Sequence, residues 1–96
     1  MLDMKHNILV KFKKDVNYKE MIEDIKNLFD ELLTIEGIYD VTIYTNCIDR
    51  QNRYHLLIQI DMDAESLPTY DESNVHKTWK DRYSKYIESK AIFDYE

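Results

Sequence analysis

Residues 91–96 predict an apolar strand, and this strand constrains the fold more than any other segment of the chain. Their sequence is Ala-Ile-Phe-Asp-Tyr-Glu, and a charged segment with helical spacing, beginning near His76, leads directly into it. The backbone N–H and C=O groups of a strand need hydrogen-bonding partners on neighbouring strands. We therefore expect residues 91–96 to lie on a sheet whose other strands are found earlier in the chain.

Three earlier segments alternate between apolar and polar side chains, as strands with one buried face do. In residues 6–12, the side chains of His6 and of every second residue after it fall on one face. Residues 38–47 and 54–62 show the same period of two, and a polar turn separates them. The fourth strand is predicted to span residues 89–96.

An amphipathic helix is predicted between the first two strands, because apolar residues recur there at intervals of three and four. This stripe consists of Met21, Ile22, Ile25, Leu28, Phe29, Leu32 and Leu33. Asn17 and Glu20, three residues apart, resemble a capping box at the start of the helix. Gly37 is expected to end the helix or to turn the chain just after it.

A second helical region follows the third strand and is predicted to be broken in two. A short first helix contains Leu67, Pro68 and Tyr70, and the proline fits only in a first turn. Ser73 or Asn74 then caps the second helix. One side of that helix carries Val75, His76, Trp79, Tyr83, Tyr86 and Ile87.

The order of these elements, βαββαβ, is that of ferredoxin-like α+β domains with a four-stranded antiparallel sheet. We expect residues 1–96 to form one such domain. Both faces of the strands carry apolar side chains, among them Leu9 and Leu57 on the face away from the helices. The simplest cover for that face is the sheet of a second copy. The sequence therefore predicts a homodimer.

The charge and hydropathy of the chain exclude several classes of partner. The formal net charge is −6, and an acidic chain repels phosphate backbones, so no nucleic-acid partner is predicted. Lys11, Lys13 and Lys14 form a basic patch, which we interpret as a solvated strand end rather than an anion site. No apolar run approaches the roughly 20 residues of a membrane span, so no membrane partner is predicted. With a single cysteine, Cys47, and no export signal, we expect a cytoplasmic protein.

Several short motifs resemble the stress-responsive α/β-barrel family, whose members are often called Dabb domains. Residues 4–13 resemble the opening strand of that family, which has a histidine, then apolar residues and Lys-Phe-Lys. Residues 35–38 resemble its Ile-Pro-Gly-Val turn, and residues 93–96 resemble its C-terminal strand. Tyr70 and His76 fall where the family has a tyrosine and the second histidine of a His-Pro-x-His segment.

The resemblance implies a homodimer in which two four-stranded sheets form a dimeric α/β barrel, with a pocket between sheet and helices in each subunit. Such a pocket would take a small hydrophobic or aromatic molecule. Most members of the family have no established activity, but a plant branch, the polyketide cyclases, uses a tyrosine and a histidine in the pocket for an aldol-type ring closure. The chain departs from the family at Ser73 and Asn74, where His-Pro is usual, so it lacks the first histidine of that segment.

Tyr70 and His76 are the candidate catalytic residues. Imidazole exchanges protons near neutral pH, so His76 can act as a general acid or base. A phenol such as that of Tyr70 can donate a hydrogen bond to a carbonyl and stabilise a developing enolate. A helix break at Ser73 would let the two side chains converge. The alternatives are structural, with His76 bonded to the backbone in a first helical turn and Tyr70 packed as a core aromatic.

Four more residues are candidate ligand-binding residues, namely His6, His55, Trp79 and Tyr83. Trp79 and Tyr83 share the inner side of the last helix. His6 either lines the pocket mouth or caps the first strand. His55 stands fifteen residues before Tyr70, where the cyclase branch has a pocket histidine. The apolar register of its strand, however, indicates a one-residue deletion in the loop that follows, which turns His55 toward the dimer barrel or solvent.

The three histidines have no spacing typical of metal ligands, and no carboxylate pairs with them at helical spacing, so neither a metal nor a cofactor is predicted. Four functions stay open. The first is a small-molecule enzyme with His/Tyr acid–base chemistry of the polyketide-cyclase type. The others are a non-catalytic binding or stress-protection module, a purely structural dimer, and a cofactor-free monooxygenase-like enzyme.

Overall fold

A computed structural model of the protein describes residues 3–96, which fold into four strands and three α-helices. The elements are β1 (Asp3–Phe12), α1 (Ile22–Asp30), β2 (Ile38–Thr45), β3 (Leu56–Asp63), α2 (Leu67–Asp71), α3 (Asn74–Tyr83) and β4 (Ile87–Tyr95). Short 3₁₀ turns occupy Tyr18–Glu20, Glu31–Thr34, Ala64–Ser66 and Ser84–Tyr86. The order confirms the βαββαβ prediction, including the second helix broken in two. None of the helices in this range is long and apolar enough to cross a membrane.

The four strands form one antiparallel sheet in the order β2-β3-β1-β4. β1 is therefore central, and it pairs with β3 on one side and with β4 on the other. The register places His6 opposite both Ile60 and Asp94. This is the ferredoxin-like arrangement that the sequence predicted.

The hydrophobic core lies between one face of the sheet and the helices. The even-numbered residues of β1 and β3 are buried on this face, since side chains alternate along a strand. From α1 and the turn after it, Ile25, Phe29 and Leu32 are fully buried and Leu28 nearly so. The predicted apolar stripe of the first helix is thus confirmed at these four positions, but Leu33 was wrongly included, since its side chain is 44% exposed.

The starts of β3 and β4, predicted at residues 54 and 89, lie at Leu56 and Ile87, and the predicted starts of β1 and α1 were also wrong. β1 begins at Asp3 and not at His6, because backbone pairing with β3 continues to that residue, so His6 lies inside the strand and does not cap it. α1 begins at Ile22, after a 3₁₀ turn at Tyr18–Glu20, and the side chain of Asn17 makes no capping hydrogen bond. These errors concern element ends, where the apolar period carries no information.

The start of α3 agrees with the sequence and its end does not. Ser73 is the N-cap, and its hydroxyl oxygen accepts a hydrogen bond from the backbone N–H of His76 at 3.2 Å. The helix ends at Tyr83, so Tyr86 lies in a 3₁₀ turn and Ile87 begins β4. Apolar spacing alone does not separate the last helical turn from an adjoining buried strand.

Gly37 forms the turn that leads into β2, with a φ of +90°. A Cβ at this position would lie 2.0 Å from the hydroxyl oxygen of Ser66, so only glycine fits without displacing its neighbour. The carbonyl of Gly37 also accepts a hydrogen bond from the backbone N–H of Asp63 at 2.7 Å. The turn therefore holds the end of β3 and the segment before α2 in place.

The opposite face of the sheet is open and carries an apolar row beside polar side chains, among them Asn7, Gln59 and the Lys5–Asp61 ion pair. Its middle row consists of Leu57, Leu9 and Ala91, which lie side by side in the register. Next to this row, the side chains of Phe93 and Tyr95 are 62% and 45% exposed. Large aromatic side chains this exposed on a sheet mark a surface suited to a partner.

Leu32→Ala should lower the free energy of unfolding by about 2–5 kcal/mol, because truncating this fully buried side chain leaves a cavity under the sheet. Leu33→Ala is the matched control, since Leu33 is 44% exposed and an exposed truncation costs about 0.5 kcal/mol or less. Urea unfolding followed by circular dichroism measures both values. Equal losses in the two variants would mean that the helix is rotated.

Candidate active site

A cavity of about 480 Å³ opens between the helices α2 and α3 and the strands β1 and β4. Its walls include four of the six residues singled out from the sequence, namely His6, Tyr70, His76 and Trp79. The ring of Tyr70 contacts two imidazoles, with centroid distances of 5.3 Å to His6 and 4.9 Å to His76. The fold thus brings a phenol and two histidines from distant parts of the chain to one wall.

His76 is positioned by the first turn of α3. Ser73, at the break between the helices, accepts from the backbone N–H of His76 and donates to the carbonyl of Tyr70 at 2.6 Å. The Nδ1 atom of His76 lies 3.0 Å from the backbone carbonyl oxygen of Asp71. Because a carbonyl only accepts, Nδ1 carries the proton, and Nε2 of the neutral ring has a free lone pair. Nε2 can therefore take a proton from a ligand.

Tyr70, on α2, belongs both to the core and to the cavity wall. Its side chain is 1% exposed. Burial, and after it the negative charge of Asp71, raises the pKa of the Tyr70 phenol above its ordinary value. The phenol therefore stays protonated at physiological pH, where it can donate a hydrogen bond to a ligand oxygen.

His6 has a carboxylate partner that the sequence analysis missed. Its Nδ1 lies 2.5 Å from Oδ1 of Asp94, which faces it across the β1–β4 pair. The carboxylate accepts the Nδ1 proton, so Nε2 of the neutral imidazole is free to accept another. A carboxylate in this position fixes both the orientation and the tautomer of a histidine. The one available signal was that Asp94 alternates with Ile92, which put both on the helix-facing side of β4.

Trp79 and Tyr83 differ in their relation to the cavity. Trp79 lines it, is 1% exposed, and packs edge-on against Phe29 at a centroid distance of 5.2 Å. Tyr83 is buried against Trp79, also at 5.2 Å, and does not line the cavity. Tyr83 therefore acts on the site only by supporting the indole.

The structure does not bring His55 to this cavity. It lies just before β3, where its Nδ1 accepts the backbone N–H of Phe12 at 3.0 Å and its ring stacks on Tyr18 at 4.5 Å. Phe12 is six residues along β1 from His6, a distance of about 20 Å. The His55 ring turns toward Phe12 and Tyr18 and not into the dimer barrel, and its side chain stays partly open to solvent, the other position that the sequence left open.

The chemical groups in the cavity suit proton transfer. Residues 3–96 hold no cluster of three His, Cys, Asp or Glu side chains arranged for a metal ion. What the cavity offers is two imidazoles with free Nε2 atoms and one neutral phenol, beside the apolar surface of Trp79 and Ile8. Such a set can move a proton on a small organic molecule.

Comparison of sequences found no matching protein-family model and no matching curated protein. Comparison of structures found many matches. A Dabb family protein with a ferredoxin-like fold from Mesorhizobium loti is 15% identical, with a TM-score of 0.73 over 98% of this chain and 95% of that one. The chain has the ferredoxin-like fold of this Dabb family protein.

Two further solved structures resemble this chain in fold. A dimeric protein of unknown function with a ferredoxin-like fold, from Bacteroides fragilis, is 22% identical, with a TM-score of 0.72 over 98% of this chain and 95% of that one. Hydroxynitrile lyase from Passiflora edulis is 12% identical, with a TM-score of 0.75 over 97% of this chain and 91% of that one. At these identities the likeness establishes the fold and not the function.

The buried phenol of Tyr70 makes the free energy of unfolding fall at alkaline pH. The pKa of Tyr70 is higher in the folded than in the unfolded chain, so its contribution to stability is complete below about pH 10 and is lost as the pH rises further. Tyr70→Phe should therefore lose less free energy of unfolding than the wild type above about pH 10.

Denaturant unfolding on both sides of that pH measures the effect. Tyr86→Phe removes the hydroxyl of a partly buried tyrosine away from the open face of the sheet and is the matched control. Its curve should fall with that of the wild type. Three identical curves would contradict the assigned role of burial at Tyr70.

Proposed function

We propose that the cavity binds a small aromatic or hydrophobic carbonyl compound and catalyses proton transfer on it, as in a polyketide-cyclase ring closure. The observation that carries this proposal is the contact of Tyr70 with two imidazoles on one cavity wall. Trp79 and Ile8 form an apolar part of the cavity wall, against which the rings or chain of the ligand would pack. An enzyme with the same fold, the hydroxynitrile lyase of Passiflora edulis, supports a catalytic use.

His76 is the base in this proposal. Its Nε2 takes a proton from the carbon next to a ligand carbonyl, and the electron pair of the broken C–H bond forms the enolate. Tyr70 donates its hydroxyl hydrogen bond to the enolate oxygen and stabilises the charge that develops there. The enolate carbon then attacks a second carbonyl of the same molecule, and the imidazolium gives its proton to the new alkoxide. The net result is an aldol ring closure that consumes no cofactor.

His6 is assigned to ligand binding. Asp94 holds its Nδ1 proton, which leaves Nε2 as an acceptor on the cavity wall. An enolic or phenolic hydroxyl of the ligand is the matching donor. Binding without turnover is the second candidate function, since the same apolar walls and hydrogen-bonding groups would hold a ligand that never reacts.

We also propose that two copies associate through the open face of the sheet. Phe93 and Tyr44 on this face are 62% and 53% exposed, and Leu9 and Leu57 lie between them. A two-fold pairing places the same apolar surface on both partners and so covers it completely. The Bacteroides fragilis protein with this fold is dimeric, which supports the proposal.

Deuterium exchange at the α carbon of acetophenone, followed by proton NMR in deuterated water, tests the proton transfer with a defined probe. The wild type should exchange faster than buffer alone. His76→Ala should lose at least about a hundredfold of that acceleration, the lower end of what general base catalysis contributes. Tyr70→Phe should keep its packing and exchange more slowly, because only the hydroxyl is lost.

Lys77→Ala is the matched control, because Lys77 is the exposed neighbour of His76 on α3. It should exchange at the wild-type rate, and circular dichroism should show every variant folded. Unchanged exchange in His76→Ala would remove His76 as the base. Saturable binding of acetophenone with no accelerated exchange would favour the binding module.

Phe93→Asp should convert a dimer into a monomer, because it would bury a carboxylate in the apolar contact. Leu33→Asp is the control, since Leu33 is exposed on the helical side of the molecule. Sedimentation velocity at micromolar concentration measures the mass of each. A wild type that sediments as a folded monomer would refute the dimer.

A further inference from the structure

A second cavity, of about 390 Å³, lies at the other end of β1 and shares no lining residue with the candidate active site. Its apolar wall contains the rings of Phe12, Tyr18 and His55. Tyr18 is inclined by 3° to Phe12 and by 21° to His55, with centroid distances of 5.5 and 4.5 Å. The three rings are stacked on one another and form one aromatic wall, against which a further aromatic ring packs well.

His55 adds a hydrogen-bond donor to this wall. Its Nδ1 accepts the backbone N–H of Phe12, so Nε2 of the neutral ring carries the proton. That N–H has no hydrogen-bond partner within residues 3–96. A donor without a partner beside an aromatic wall is matched by a ligand that has both a ring and an acceptor.

The charge around the cavity is positive on balance, with four cationic side chains against the carboxylates of Asp49 and Glu88, although the chain carries a net charge of −6. Lys11 is already paired, with its Nζ at 3.3 Å from a carboxylate oxygen of Glu88. Lys13, Lys14 and Arg50 have no ion-pair partner in the part of the chain that the structure describes. A concave site lined by cations raises the local concentration of anions, even when the protein as a whole is acidic.

We propose that this second cavity binds an aromatic carboxylate. The ring of the ligand packs against the exposed part of the Tyr18 ring, and its carboxylate, in the plane of the His55 imidazole, accepts from the Nε2–H and faces Lys13 and Lys14. In this proposal the basic patch, which the sequence analysis interpreted as a solvated strand end, binds the carboxylate of the ligand. The proposal does not depend on the chemistry assigned to Tyr70.

Titration with benzoate, followed by the ring resonances of the three histidines in proton NMR, tests this proposal. Benzoate should shift the His55 resonances saturably while those of His76 stay in place. Cyclohexanecarboxylate has the same charge without a flat ring, and inorganic phosphate is an anion without a ring, so both should bind at least about fivefold more weakly.

Lys13→Gln combined with Lys14→Gln should raise the dissociation constant of benzoate about fivefold or more, as expected for two partly screened charges. Lys80→Gln combined with Lys85→Gln removes two exposed charges elsewhere and should leave it unchanged. Tyr18→Leu keeps apolar bulk but removes the ring, and should weaken benzoate more than cyclohexanecarboxylate.

Three results would overturn the proposal. They are a shift of His76 in place of His55, equal binding of benzoate and phosphate, and equal losses in the two double-lysine variants. Tyr70→Phe and His76→Ala should leave benzoate binding at His55 unchanged, so failure of this site and failure of the proposed catalysis are separate outcomes.

Discussion

The pairing of β1 with both β3 and β4 is the interaction on which the rest of the structure depends. As the central strand, β1 has neighbours on both sides to satisfy its backbone groups, and a slip of one residue would turn every side chain to the wrong face. Its register sets Asp94 against His6. The same strand supplies a wall to each of the two cavities, with His6 inside the strand lining one and Phe12 at its end lining the other. The alternation of side chains along β1 therefore places its even-numbered residues in the core and in the walls of both cavities.

The junction at Ser73 is the second constraint, and it acts locally. A continuous helix would separate Tyr70 and His76 by nearly two turns, on different sides of the axis. The Ser73 hydroxyl instead joins the two short helices, accepting from His76 and donating to the carbonyl of Tyr70. The two rings come within 4.9 Å of each other as a result. A cap that satisfies ordinary backbone groups thus also assembles the candidate active site.

Much of this could be predicted from the sequence, because burial on one face imposes a period that survives in the amino-acid order. The stripe that contains Leu32 gave the orientation of α1, and the break at Ser73 gave the convergence of Tyr70 and His76. His55 could not be placed, since the loop before β3 has no period. Asp94 was missed because its pairing with His6 depends on a register between the two ends of the chain. Element ends were misjudged where backbone pairing or a 3₁₀ turn decided them.

The close approach at Gly37 gives the cavity a mechanical dependence on a distant turn. Ser66 packs where a side chain of residue 37 would be, and its hydroxyl donates to the carbonyl of Glu36 at 3.3 Å. Since Ser66 directly precedes α2, anything larger than hydrogen at residue 37 would push on the helix that carries Tyr70. The spacing between the phenol and the two imidazoles is therefore set partly by a residue that contacts none of them. Variation at this turn would change the spacing of the three rings without replacing any of them.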